Sequence, residues 1–248
     1  MSELDEPERM LLQACINGAR PVAQHPALTA DTTLAAADAA RAVAMGAREI
    51  HVHPKDAEGD DSLRGDDVER WVRALRSACP GVRIGVTTGA WIEPDVGLRL
   101  AAIREWRVLP DFASVNWHEA GADEVAALLA SRGIRIEAGI WDATGLDAWR
   151  RSPVHDETLR VLVELPDEAA DVVRQHAEGL IAHVRLDDPD IPLLLHGEQR
   201  SAWPAFTLAV EFGLDARIGL EDTLLLPDGR TAPDNAALVR AAAAFLNA

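Results

Sequence analysis

Arg48-Glu49-Ile50-His51-Val52-His53-Pro54-Lys55-Asp56 reads as a short buried strand that carries two histidines two residues apart. Residues i and i+2 of a strand face the same side, so His51 and His53 can reach one ion together. Pro54 and the following Lys-Asp-Ala-Glu-Gly close the strand. The pair therefore lies at the carboxyl end, where parallel α/β folds build their sites. The plain alternative is two imidazoles satisfied by backbone groups; a third ligand tips the balance toward a metal.

Working outward, the same grammar recurs. Before this strand, Leu11 to Asn17 reads as a first buried strand, followed by a loop with Pro21 and Pro26 and an alanine-rich helix from Leu34 to Met45 that stops at Gly46. After it come a helix near Asp66 to Ala78, strand Val82 to Thr88, helix Asp95 to Trp106, strand Phe112 to Asn116, helix Ala122 to Arg132 and strand Ile134 to Trp141. Helix Leu146 to Arg151, strand Leu159 to Leu165, helix Glu168 to His183, strand Leu193 to His196, helix Trp203 to Phe212, strand Ala216 to Leu220 and helix Ala236 to Leu246 complete the pattern. Eight strand–helix units in 248 residues predict a (β/α)₈ (TIM) barrel, with a polar leader over residues 1–10 and one catalytic domain over 11–248. A doubly wound sheet would call for a glycine-rich first turn, and neither G-x-G-x-x-G nor G-x-x-x-x-G-K-[ST] occurs.

Composition narrows the function. Lys and Arg total 24 against 41 Asp and Glu, a formal charge of −17, which argues against nucleic acid or an anionic membrane as partner. Cys15 and Cys79 are too few for a disulfide framework or a thiolate metal site. No apolar run reaches membrane-spanning length, and none of the signal-peptide kind follows Ser2-Glu3-Leu4-Asp5-Glu6, so a cytoplasmic protein acting on small molecules or its own copies is expected.

The strand ends supply the candidate site residues: Asn17, His51 and His53, Thr87 and Thr88, Asn116, Glu137, His196, then Arg217, Glu221 and Asp222 around the eighth strand. Alternate strands of such a barrel feed one interior layer, so the second and eighth bring His51, His53 and Glu221 together. Two histidines and a carboxylate leave a coordination position open, as in catalytic zinc sites, although other divalent ions accept the same ligands. Asp222 is then free to act as a base. Arg217, Glu221 and Asp222 would ordinarily be a surface ion-pair group, but Ile218, Gly219 and Leu220 embed them in an apolar run. His196 reads as a loop hydrogen-bonding group ahead of a spare ligand, and of the tryptophans Trp117 and Trp141 stand where a pocket wall would be.

His51-Val52-His53-Pro54, Thr87-Thr88-Gly89, Ser114-Val115-Asn116 and Arg217-Ile218-Gly219-Leu220-Glu221-Asp222 together resemble the β-keto acid cleavage enzymes. The likeness runs from the first strand to Leu238. It implies a (β/α)₈ barrel that usually forms homotetramers. It also implies a divalent metal, commonly zinc, and transfer of an acyl group from a β-keto acid to CoA, with acetyl-CoA as co-substrate and acetoacetate as a product. By position, His51, His53 and Glu221 would hold the metal and Asp222 would be the general base, oriented by Arg217 and Thr87. Asn17, Arg20, Thr88, Gly89, Asn116 and Glu137 would contact substrate.

Several positions depart from that pattern: Arg20 stands where several members carry glutamate, Gly139 where a second acidic residue is often found, and Thr87 where serine is frequent. The gain of Arg20 and the loss at Gly139 predict a substrate whose far end is neutral or anionic rather than amino-bearing. Two other readings remain: a metal-dependent aldolase or hydrolase that needs no CoA, and a barrel that binds a metal and ligand without turnover. Arg99, Arg104 and Arg107 are positioned either to meet CoA phosphates or to form a solvated helix face.

Overall fold

In the computed structural model, residues 10–246 are described, so the expected leader lies outside them except for Met10. Eight parallel strands, β1 (Leu12–Cys15), β2 (Glu49–Val52), β3 (Arg83–Thr87), β4 (Phe112–Asn116), β5 (Arg135–Ile140), β6 (Thr158–Leu165), β7 (Leu193–Gly197) and β8 (Asp215–Ile218), close into a barrel in sequence order, β1 pairing with β8. Each is followed by a helix: α1 (Thr32–Ala44), α2 (Gly65–Ala78), α3 (Val96–Arg104), α4 (Ala122–Ser131), α5 (Ala143–Arg150), α6 (Ala170–Asp187), α7 (Ala202–Phe212) and α8 (Asn235–Phe245). The expected fold is the observed one. The last strand ends two residues early, because Asp222 and Thr223 fold back onto the Gly219 carbonyl in a turn. β2 likewise stops at Val52, leaving His53 one residue past the ladder.

Strand periodicity divides the chain's hydrophobic and polar residues between two sides of the sheet. Ala14, Ile50, Val52, Ile84, Val86, Ile136, Ala138, Val161, Val163, Leu195, Ala216 and Ile218 alternate outward and form the apolar core with the helices. Capping fixes where several helices start: Asp31, Asp95, Asp142 and Asp234 each accept backbone N–H bonds at the first turns of α1, α3, α5 and α8.

The inward positions are mostly polar instead, with Phe112, Leu162 and Leu194 as buried apolar exceptions. Near the floor, the Arg160 guanidinium pairs with Glu137 (2.7 Å) and with Glu49, Gln13 donates to Glu137 (3.1 Å), and Arg83 reaches Glu49 at 2.5 Å. Register explains Arg160: opposite Ile136 and Glu137 of β5, β6 presents Thr158 and Arg160, so Leu159 is an extra residue in a bulge. Thr158 thus meets Trp149 of α5 outside the barrel while Arg160 turns in. Glu49 and Glu137 differ in what wins. Burial pushes the Glu49 carboxyl up despite Arg160, whereas at Glu137 Arg160 overcomes burial and pushes it down. Among the described residues no helix is long and apolar enough to cross a membrane.

Candidate metal centre and active site

His51 and His53 reach the carboxyl-terminal mouth together, as their spacing predicts, and Glu221 meets them from the turn after β8. Nε2 of His51 is 3.9 Å from Oε2 of Glu221, and Nε2 of His53 is 3.6 Å from Oε1. One ligand atom from each of the three lies within 4.8 Å of the others. Donors bound at about 2 Å around a tetrahedral ion stand roughly 3.3 Å apart, so the spacing fits one ion after a small contraction. Glu221 Oε2 is buried with no hydrogen-bond partner, as expected of a ligand atom awaiting a cation.

The surroundings hold these groups in place. Asn17 closes a pair of hydrogen bonds on the His53 backbone, donating to its carbonyl (2.7 Å) and accepting from its N–H (2.9 Å). Nδ1 of His53 faces Asp61 at 3.3 Å, and Trp91 stacks on the ring at 5.7 Å while donating to Asp61. Burial lowers the His53 pKa, yet Glu221 and Asp61 outweigh it and raise it to about 9. Burial takes His51 down to about 4 against the pull of Glu221. Glu221 is driven well below the usual carboxylate range despite burial, by Arg217, His51 and His53. Gly18 is left-handed (φ 59°), and a Cβ there would press on the Glu221 side chain at 2.5 Å, so only glycine lets the first loop pass over Glu221.

A cavity of about 480 Å³ opens above the centre, walled by His51, His53, Thr87, Trp91, Trp141, Glu164, Arg217 and Glu221. Arg217 donates to Glu221 Oε1 (2.9 Å) and its Nε lies 3.4 Å from Asp222 Oδ1. Arg20 is buried at the rim, its Nε donating to the Glu221 carbonyl. With the Gln199 amide turned so that its oxygen faces the guanidinium, Arg20 donates to it at 3.0 and 2.6 Å.

Several expected contacts belong elsewhere. The Thr87 hydroxyl accepts from the Gly89 N–H, and the group that meets Asp222 beside Arg217 is His196 (3.0 Å to Oδ1), close enough for ion contact but not aligned as a hydrogen bond. Thr88 donates to the Ser114 carbonyl and Asn17 is occupied by His53, so both brace the site rather than line it. Glu137 lies on the barrel floor with Arg160 and Gln13. Gly89 is where Trp91 folds back, since a Cβ there would enter its ring. Asn116 does line the cavity, donating to Glu119 and accepting from Trp141. Trp117 packs in the core; Trp141 walls the pocket as expected. Arg99 is sealed against Glu119 and the Ala120 carbonyl, which removes it from any phosphate role.

Among the residues unread in the sequence, two stand closest to the expected ones. Trp91 roofs His53, and Glu164 of β6 fills the space beside Gly139, where an added Cβ would lie 2.5 Å from its Oε1. The cavity is therefore not depleted of acid at that point, as the glycine had suggested. The signal for Glu164 was its parity with Arg160, two charges at inward positions of an otherwise apolar strand.

The family profile described as beta-keto acid cleavage enzyme matches residues 9–248. A 3-keto-5-aminohexanoate cleavage enzyme of Fusobacterium nucleatum is 24% identical over 258 residues, covering 94% of this chain and 89% of the relative. Among solved structures, ObcA in a ternary complex with a C4-CoA adduct and oxalate superposes with a TM-score of 0.67 at 16% identity, over 87% of this chain. This chain spans 62% of the ObcA chain. The tryptophan synthase alpha chain of Legionella pneumophila gives 0.58 at 14% identity, over 96% of this chain and 92% of that one. These structural likenesses show the barrel fold, and the profile match over almost the whole length shows the family: this chain belongs to the beta-keto acid cleavage enzymes.

Proposed function

We propose that the protein transfers the acyl group of a β-keto acid to CoA, using acetyl-CoA as co-substrate and releasing acetoacetate. The observation that carries this reading is the convergence of His51, His53 and Glu221 under a polar cavity, with Arg217 fixed between Glu221 and a buried carboxylate. His51, His53 and Glu221 are the proposed ligands of a divalent ion, with zinc the first choice for this donor set. Such an ion supplies a Lewis acid that makes the carbon between ketone and carboxylate acidic.

The chain's own residues handle the rest. Arg217 holds Glu221 by Oε1, and Arg20 offers its guanidinium at the rim to the far end of the substrate. The substrate proton passes to a carboxylate of the group Glu164–His196–Asp222, which the family resemblance assigns to Asp222. The resulting enolate carbon attacks the acetyl carbonyl of acetyl-CoA and expels CoA thiolate. The thiolate then adds to the original ketone, the neighbouring carbon–carbon bond breaks, and the acyl group leaves as a new acyl-CoA while acetoacetate takes back a proton. By the same resemblance the working form is a homotetramer or homodimer.

The test is incubation of the metal-loaded protein with a panel of β-keto acids, with and without acetyl-CoA, measuring acetoacetate. Release that depends on acetyl-CoA supports the reading. Substrate consumption at the same rate without acetyl-CoA would replace it with a CoA-independent aldolase or hydrolase, and no consumption at all would leave a binding barrel.

A further inference from the structure

The two histidines of the metal centre are held in different ways. His51 stands inside β2, its ring 1% exposed, and its Nδ1 is buried with no hydrogen-bond partner among the described residues. His53 stands one residue past the strand, and both of its ring nitrogens are aimed: Nε2 lies 3.6 Å from Oε1 of Glu221 and Nδ1 lies 3.3 Å from Oδ2 of Asp61. Packing orients the first ring, whereas the second depends on a carboxylate eight residues further along the chain.

The loop after β2 folds so as to bring that carboxylate back. Oδ1 of Asp56 accepts from the N–H groups of Glu58, Gly59 and Asp60, the Asp56 N–H donates to the Asp60 carbonyl, and Lys55 bridges to Asp61 in antiparallel register. The Asp61 side chain is 9% exposed and uses both oxygens. Oδ1 takes the Lys55 ammonium at 2.5 Å, and Oδ2 takes the Trp91 indole N–H at 3.0 Å as well as His53. Lys55 also donates to the carbonyls of Gly18 and Arg20, so the same carboxylate is tied to the loop that passes over Glu221. A carboxylate beside an ammonium is ionised and only accepts, so the proton in its contact with His53 is on Nδ1, and Nε2 is the nitrogen left for an ion. Turning the ring over would break the Asp61 contact and push the ring edge into Trp91, which stacks on it at an interplanar angle of 26°.

We propose that Asp61 is a positioning residue of the metal centre: it holds the Nδ1 proton of His53 and thereby commits Nε2 to the ion. The inference rests on the metal-dependent cleavage reading above. Asp61 does not line the cavity over the centre and acts through His53. A carboxylate behind a metal-binding imidazole fixes its tautomer and direction and makes the ligating nitrogen a stronger donor. Asn17 fixes the backbone of His53 and Asp61 its ring, so the two supports act on separate degrees of freedom.

The experiment measures the zinc affinity of the metal-free full chain by competition with a chromophoric chelator, using zinc alone, together with the imidazole nitrogen–proton correlation spectrum of the zinc-loaded protein. Zinc-loaded wild type is expected to show His53 protonated at Nδ1, a signal assigned by its absence from His53→Gln. Asp61→Ala is expected to bind zinc about 10- to 100-fold more weakly and to lose the slowly exchanging Nδ1 proton. Asp61→Asn, whose amide oxygen can accept the same N–H, is expected to recover part of the affinity. A role confined to folding the loop would lower the melting temperature and leave both the zinc affinity and the His53 tautomer unchanged, and that result overturns the proposal. So does an Asp61→Ala affinity within about threefold of wild type, or a proton on Nε2 of His53 in the zinc-loaded wild type. If Asp61→Ala does not fold, Asp61→Asn decides: affinity about threefold or more below wild type supports the assignment, and affinity equal to wild type overturns it. A wild type that binds no zinc would bring down the metal centre and the cleavage reading with it, a result distinct from equal binding by wild type and variant.

Discussion

Asn17 grips the His53 backbone with both ends of one amide, its nitrogen 2.7 Å from the carbonyl and its oxygen 2.9 Å from the N–H. His53 has already left the β2 ladder, so this pair replaces the strand bonds its backbone has lost. Asn17→Ala should strand both buried backbone groups, at a cost of about 1–3 kcal/mol, and weaken metal affinity about 10-fold or more because the His53 ring is no longer held in place through its backbone. Thermal melts and metal titration read the two effects separately. Unchanged metal affinity would show that β2 orients His53 without help.

His51→Ala and His53→Ala should each leave too few ligands to retain a metal ion, while the wild type carries about one per chain. Metal analysis after dialysis checks this, and undiminished metal in both variants would remove the proposed centre.

His196 gives stability a pH signature. Its folded pKa of about 9 lies above the 6.5 of a free imidazole, so its charged form is favoured by folding. The contribution is fully present below about pH 6.5 and is lost as pH rises through about 9. The melting temperature of wild type should therefore fall more steeply across that window than that of His196→Gln. Parallel slopes would mean that the imidazole is not charged between Glu164 and Asp222.

Arg160→Met should be among the most damaging single changes outside the mouth. It leaves Glu49 and Glu137 facing each other in the barrel interior without their shared cation, and breaking a buried ion pair from one side typically costs about 3–5 kcal/mol. Denaturant unfolding measures the loss. A shift of less than about 1 kcal/mol would show that water enters the floor.

Arg20 sets the expected charge preference. Buried at the rim with Gln199, it should favour a β-keto acid whose far end is neutral or anionic, and Arg20→Glu should shift kcat/KM toward an amino-bearing β-keto acid. The Fusobacterium relative is named for an amino substrate, which makes the comparison direct. Wild-type preference for the amino compound would refute the assignment, and the same preference in the variant would show that Arg20 does not read the substrate.

The barrel was legible because outward-facing Ile, Val, Leu and Ala repeat with a period of two and are punctuated by helices of ordinary length. The convergence of His51, His53 and Glu221 was legible for a similar reason: His51 and His53 are near in sequence, and Glu221 follows the strand that must close against the first. Partner choice was not. A hydroxyl such as Thr88 or an amide such as Asn17 bonds whatever the neighbouring strand presents, and that depends on register rather than on residue type. Glu164 escaped because it stands among Leu162, Val163 and Leu165 and resembles an ordinary strand end. Arg160 escaped because a bulge, which no local pattern announces, decides which way it faces.

The division of the strands into an apolar outer row and a mostly polar inner row leaves two messages interleaved in one chain. Hydrophobic burial takes place between sheet and helices, so most of the cohesion resides on alternate residues that never meet a substrate. At the mouth the inward row can therefore be rewritten for a new substrate with little direct loss of that cohesion. The floor is the exception, where Arg160, Glu49 and Glu137 must change as a set. An engineer redesigning this barrel has a tolerant upper rim and a foundation whose charges admit no single substitution.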